Sequence, residues 1–410
     1  MAFLGERMDP VRQQYETYPY PERDPADEAK RLIEGSPSHP VEIDHFLFGG
    51  RRDWSRPFRA LVAGGGTGDG LIMLAQKLAD IRCPAEITYL DMSAAARGIA
   101  EARAAARGLT SIRFLTGDLL TAPELGRFDY IDCCGVLHHL PDPDAGFAAL
   151  AAALAPGGGM GLMVYAPYGR TGVYPLQAAF GRLLRDDAPA DQVRLAKAVL
   201  KTLPQTNPFA GNRLVGDHRD SDAGLYDLLL HSRDRPYTVD QLAGALERAG
   251  LAPAGFLEPA RYDPLRYLPA APEIAERVEA LTPVERAALA EQLAGNMKTH
   301  VVYAARPGAA TEAGPGRAAA VPHLKDVAPA ALARQVAASG GFSLTTDGLS
   351  FSVAVPRAAA PLIAAIGGRS LGRIAEAVRL DWLAFGAAWA PVHRALTGFN
   401  ILHYSEGARR

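Results

Sequence analysis

Three glycines at alternate positions, Gly64, Gly66 and Gly68, follow the apolar run Leu61-Val62-Ala63, and a carboxylate, Asp91, ends the next apolar run 27 residues after Gly64. Glycine is needed where a backbone turns sharply and comes close to a ligand. An acid at the end of the following strand can accept hydrogen bonds from both hydroxyls of a ribose. The pair therefore describes a nucleoside-binding turn with a sugar-gripping acid one βα unit later. The dinucleotide spacing G-x-G-x-x-G fails in each register, because Asp69 and Leu71 stand where the third glycine belongs. No Gly-Lys-Ser/Thr follows, so the phosphate-loop pattern fails too. A nicotinamide-dependent oxidoreductase is disfavoured on the same spacing.

A second group of reactive side chains lies downstream. His138 and His139 leave one apolar run, and Tyr165, Tyr168 and Tyr174 leave another. In an open α/β sheet, substrates sit over such strand exits. His138 is the candidate catalytic contact, and His139 reads as a packed, hydrogen-bonded residue. The polar stretch 216–237 holds Asp217, His218, Tyr226 and His231. It reads either as a solvated ion-pair network or as substrate recognition. Tyr20 belongs to the leader Tyr18-Pro19-Tyr20-Pro21, where each tyrosine precedes a proline and the chain is extended. That leader either folds over the ligand as a lid or only staples itself to the domain. With no C-x-x-C and no H-E-x-x-H, no metal is expected.

The elements that must position these groups alternate in type. Strands are predicted at 58–63, 86–91, 112–115, 128–134 and 158–165, with helices at 68–80, 93–108 and 142–154 between them. Such alternation implies a parallel sheet with right-handed crossovers. A helix over 238–249 starts at Thr238, with Gln241 as its capping-box partner, and stops at Gly250. Strands near 253–258 and 299–305 follow, separated by a helical stretch at 271–297. Another helical insertion spans 167–237.

Read in order, Gly64-Gly65-Gly66-Thr67-Gly68, Ile87–Ser93 with Asp91, Thr116-Gly117-Asp118-Leu119, Phe128–Leu140 and Leu154–Gly158 resemble the successive motifs of the class I S-adenosylmethionine-dependent methyltransferases. The resemblance implies a Rossmann-like sheet with helical insertions and S-adenosyl-L-methionine as cofactor. It assigns cofactor binding to Gly64, Gly65, Gly66, Thr67, Gly68, Asp91, Met92, Asp118, Leu119 and Gly135. One position departs from the family pattern: Val62 stands where an acid usually organises the region around the methionine ammonium. Asp69 is the nearby acid to watch as a replacement. The implied reaction is an in-line methyl transfer, which needs a base only when the acceptor carries a proton of high pKa. The acceptor is a small molecule or a peptide or protein side chain. The Asn/Asp-Pro-Pro-Tyr of amino-methylating enzymes is absent after 134, as is the Pro-Cys of pyrimidine C5 chemistry. The other reading open at this point is a partner-binding protein that holds cofactor without turnover.

The 410 residues divide as a leader (1–55), the methyltransferase domain (56–306, with cap insertions 167–237 and 271–297), a Pro/Gly/Ala linker (307–321) and a C-terminal unit (322–410). In that unit a hairpin over 342–353, a helix–Gly turn–helix over 362–375, a helix at 380–396 and a strand at 399–404 outline a small winged-helix-like α+β domain. It is similar to the peptide-binding winged helices of peptide-modifying enzymes. Its basic residues exceed its acidic ones only by nine to five. That balance favours peptide contact or self-association over DNA. A net charge of −2 likewise argues against a broadly basic surface. No apolar h-region or membrane span is read, and three cysteines fit a reducing cytoplasm.

Overall fold

Strand β1 (Phe58–Ala63) is buried at every position but one, as a strand covered by helices on both faces must be. The computed structural model describes residues 9–406. Beside β1 lie β2 (Ala85–Asp91), β3 (Ile112–Thr116), β4 (Phe128–Cys134), β5 (Leu154–Tyr165), β6 (Ala252–Phe256) and β7 (Thr299–Ala305). They form one sheet in the order β3-β2-β1-β4-β5-β7-β6. The pairs β1–β2, β2–β3, β1–β4 and β4–β5 are parallel, and β7 runs antiparallel to both β5 and β6. The strand order reverses between β1 and β4, and ligands of such sheets bind at that crevice.

Local chemistry explains the connecting helices. Asp69–Asp80 starts after Gly68, whose φ of 101° only glycine adopts without strain. Ser93 caps Ala94–Ala106, and Asp142 with Pro143 opens Pro143–Ala153. Thr238 and Gln241 form the expected capping box on Val239–Arg248. The insertion before that helix packs Val173–Leu183 and Pro189–Leu200 around its own core of Val173, Phe180, Phe209 and Leu225.

The leader is bound tightly to the sheet domain. Arg103, 1% exposed, donates to Glu28 at 2.7 Å, to Asp69 at 2.7 Å and to the Thr67 carbonyl at 2.9 Å. Arg23 grips the same Asp69 through two nitrogens. Helix Pro40–Leu47 carries the buried Glu42 and His45 against the sheet.

The stretch read as a linker is held in place rather than loose. Ala313 N–H donates to the His45 carbonyl at 2.7 Å, and Thr311 N–H to the Leu47 carbonyl at 3.2 Å. Strand β8 (Ala320–Leu324) begins inside it. After an unforeseen helix, Pro329–Ser339, come the hairpin strands β9 (Gly341–Thr346) and β10 (Leu349–Ala354), turning at Asp347-Gly348. Helices Ala360–Ala364, Leu371–Ala377 and Trp382–Thr397 follow. The closing strand β11 (Leu402–Glu406) pairs with β8, not at 399–404 as expected. Phe399 is taken by the core, and Asn400 turns the chain at φ 58° first. This unit reaches the leader through Lys325, which donates to Ser36 at 2.6 Å and also pairs with Glu42, and through Asn400, 2.7 Å from Glu42. Among the described residues no helix is long and apolar enough to cross a membrane.

Candidate cofactor and acceptor site

A cavity of about 630 Å³ opens at the carboxyl ends of β1 and β4. One side is the glycine turn. A Cβ on Gly64 would lie 2.3 Å from Val136, and one on Gly65 2.4 Å from the Tyr89 ring, so neither position admits a side chain as built. Gly64, Gly65, Gly66 and Gly68 all line the cavity, together with Asp91, Met92, Asp118, Leu119 and Gly135. Nine of the ten residues assigned to cofactor binding thus converge there.

The tenth, Thr67, requires correction. Its side chain is buried away from the cavity, and its hydroxyl donates to the Pro21 carbonyl at 2.7 Å. It therefore holds the leader beside the glycine turn. Asp91 is oriented by two backbone donors, Gly66 N–H on Oδ2 and Ser93 N–H on Oδ1, each at 2.8 Å. Burial raises its pKa, against those hydrogen bonds.

The acid missing at Val62 has a neighbour that supplies one. Val62 pairs in register with Asp132 on β4, so both side chains point to the same sheet face. Asp132 lines the cavity, 4% exposed. It accepts from the Ser38 hydroxyl, and burial pushes its carboxyl up to about 6, opposed by hydrogen bonds from Ser38 and Cys134. Asp69 cannot take this role. Arg23 and Arg103 already neutralise it, and their hydrogen bonds outweigh burial and hold its pKa low.

The leader, the turn after β4, β5 and the insertion add Tyr15, Tyr20, His139, Tyr165, Asp227 and Arg233 to the wall of the same cavity. Asp227 is buried, and burial raises its pKa. It accepts from Tyr15 and Tyr165, both at 3.0 Å. His139 stacks on His231 with ring centroids 3.8 Å apart.

Several sequence assignments change here. His138, expected to touch substrate, is 1% exposed and off the cavity, wedged 4.2 Å from the Tyr165 ring, with burial lowering its pKa. His139, expected to be packed, is the histidine on the cavity wall. The short 3-10 turn Leu137–His139 rotates the second histidine, not the first, toward the opening. Of the insertion candidates, His231 sits directly behind His139, whereas Asp217, His218 and Tyr226 lie off the cavity wall. His218 packs 5.0 Å from Phe209, and Tyr226 stacks on Tyr18 and donates to Gln192 at 2.7 Å. Tyr168 is 36% exposed and outside the cavity, because the chain turns away after β5 through Thr171 N–H donating to its carbonyl. Tyr20 does line the cavity. Asp132, Tyr15, Asp227 and Arg233 were missed. Asp132 lies inside the Phe128–Leu140 motif, and Asp227 and Arg233 inside the polar stretch 216–237, but only strand register and the fold of the leader and the insertion put them on the cavity.

Comparison with known proteins agrees with this geometry. The family model described as a methyltransferase domain matches residues 61–160. An uncharacterized protein of Synechococcus sp. is 32% identical over 313 residues, covering 71% of each chain. Among solved structures, PKMT2 from Rickettsia typhi in complex with AdoHcy superposes with a TM-score of 0.62 at 14% identity, over 90% of this chain and 76% of that one. A second structure of the same protein gives 0.60 at 14%, over 95% and 76%. At that identity the likeness establishes the fold. Residues 61–160, which carry the glycine turn and most of the run from β1 to β5, match the methyltransferase-domain model, so sequence and fold agree on a methyltransferase domain there.

Proposed function

We propose that this cavity binds S-adenosyl-L-methionine and that the chain transfers its methyl group, by in-line displacement, to a small-molecule or peptide or protein acceptor entering past Tyr20 and His139. The observation that carries the reading is one cavity lined both by Asp91 and the glycine turn and by His139, Asp227 and Arg233.

The residues present fit the cofactor. Asp91 offers carboxylate oxygens to a sugar diol, and Met92, Leu119 and Leu140 give a base apolar walls. Asp132 supplies the carboxylate for an ammonium in place of an acid at 62. The N-terminus of helix Asp69–Asp80 offers backbone N–H groups to the methionine carboxylate. The bound sulfonium supplies the methyl group. The protein aligns the acceptor and keeps water out, which is how proximity lowers such a barrier. Tyr20 and Pro21, pinned by Thr67, lie over the glycine turn, and this leader is the lid of that enclosure. The three cysteines are unpaired, in keeping with a cytoplasmic enzyme.

Calorimetry with S-adenosylmethionine and S-adenosylhomocysteine tests the proposal. Wild type binds both, and Asp91→Ala weakens binding at least tenfold. Unchanged affinity in that variant would remove the reading.

A further inference from the structure

We propose that Nε2 of His139 is the proton acceptor of the reaction, so that the methyl acceptor arrives at an atom whose proton must be removed, a hydroxyl or an ammonium. The inference rests on the reading of the cavity as a methyltransferase site.

The hydrogen bonds around the cluster assign the ring protons of His231 and His139. Arg233 N–H donates to Nδ1 of His231 at 3.0 Å, so that nitrogen carries a lone pair and the proton sits on Nε2. Nε2 of His231 faces the Tyr15 hydroxyl at 3.3 Å, and that hydroxyl is free to accept because its own hydrogen goes to Asp227 at 3.0 Å. His139 has the opposite tautomer. Its Nδ1 lies 2.7 Å from the Arg233 carbonyl, which can only accept. The proton is therefore on Nδ1, and Nε2 holds a lone pair. That Nε2 is buried and has no hydrogen-bond partner, while the residue lines the cavity.

One residue, Arg233, thus sets both histidines: its N–H makes His231 a fixed donor, and its carbonyl leaves His139 a free acceptor. The His231 stack, at an interplanar angle of 17°, and the edge-on Tyr165 ring hold the His139 ring plane. The groups facing His139 are His138, His231, Tyr165, Asp227, Asp234 and Arg233, with Arg170 one step further. Asp227 and Asp234 each bring a carboxylate oxygen within 4.8 Å of a ring nitrogen of His139. Arg170 offsets Asp234, to which it donates at 3.1 Å.

In the step inferred for a hydroxyl, the acceptor oxygen's lone pair forms the bond to the methyl carbon and the carbon–sulfur pair stays on sulfur. The hydroxyl proton passes to Nε2, and the imidazolium then returns it to water. An ammonium gives its proton to Nε2 first and attacks with the lone pair that this frees. The same side chains could be read as a metal site, since His139, Asp227 and His231, or His138, His139 and Asp234, place ligand atoms within 4.8 Å. The first set needs a lone pair on Nε2 of His231, which carries the proton. The second would put a dication beside Arg170.

The test uses full-length protein labelled with ¹⁵N-histidine and saturated with S-adenosylhomocysteine. Long-range nitrogen–proton spectra, assigned with His139→Gln, are expected to show His139 protonated on Nδ1 and carrying a lone pair on Nε2. An Nε2–H tautomer overturns the proposal. S-adenosylhomocysteine affinity in His139→Gln should stay within twofold of wild type, whereas a tenfold loss would make His139 a cofactor ligand instead. Failure of wild type to bind S-adenosylhomocysteine would sink the underlying site reading and leave the tautomer result standing. Stoichiometric zinc retained after chelator dialysis would replace the base with a metal. Labelled-methyl transfer into cell extract should fall about 10²-fold or more in His139→Gln at pH 7, with the deficit shrinking as pH rises. Equal transfer by both proteins also overturns the proposal.

Discussion

Asp132→Asn separates the two jobs assigned to this carboxylate. The unperturbed carboxyl titrates at 3.8, and burial in the fold moves it to about 6. Each unit corresponds to about 1.36 kcal/mol, so the shift is worth about 3 kcal/mol. The folded state keeps this proton where the unfolded chain has already lost it. The stabilisation is therefore fully present below about pH 4 and is lost as pH rises through about 6. An asparagine carries no such charge. With its amide oxygen still accepting from Ser38, Asp132→Asn should match wild type near pH 4 and exceed it by up to about 3 kcal/mol at pH 7.5. Urea unfolding at the two pH values reads that difference directly. Cofactor binding should move the opposite way. Losing a charge-assisted hydrogen bond to an ammonium costs about 1.5–3 kcal/mol, or roughly 10- to 100-fold in affinity. At pH 5.5, calorimetry in two buffers should show wild type releasing part of a proton on binding S-adenosylmethionine, because the ammonium favours the ionised carboxylate. Asp132→Asn should release none. A variant equally destabilised at both pH values, with affinity and proton release unchanged, would show that Asp132 only holds Ser38 and that the missing acid has no substitute.

Two further substitutions probe the frame of the site. Arg103→Met takes one of two arginines from the buried Glu28, leaving Arg107, and one of two from Asp69, leaving Arg23, and losing a hydrogen bond to a charged group costs about 1.5–3 kcal/mol. Urea unfolding measures it, and a loss under 1 kcal/mol would mean the leader is held by other contacts. Gly64→Ala sets a methyl carbon 2.3 Å from Val136 at a φ of 73°. S-adenosylhomocysteine binding should drop at least tenfold, and adding Val136→Ala should recover part of it. Undiminished binding in the single variant would show that the turn is not the cofactor cradle.

The parts legible in the sequence are those whose signals are local. Strands β1 to β5 come from apolar runs of strand length, the helix starts from Ser93, Asp142 and Thr238, and the turn from glycines that nothing larger can replace. Helix Pro329–Ser339 was missed because its Ala-rich segment has no side-chain cap. The β8 strand was missed because a Pro/Gly/Ala stretch forms its approach, and its partner β11 lies about 80 residues away.

The site divides along the same line. Asp91 could be assigned because motif and function share one strand end, whereas Asp132 depends on β4 pairing with β1, a choice made by the whole sheet. Nothing near Val62 in sequence announces its replacement, yet parallel pairing in register forces the two side chains onto one face. The histidines make the point more sharply. His138 and His139 are adjacent and chemically identical, so no reading of their neighbours separates them. The distinction comes from a 3-10 turn that packs one behind the cavity and sets the other on its wall, and from the backbone of Arg233, 94 residues away, which dictates where the second keeps its proton. Replacing the Arg233 side chain would leave both backbone groups in place. The tautomer of His139 should accordingly survive Arg233→Ala, and it should change only when the path of the chain through 231–235 is altered.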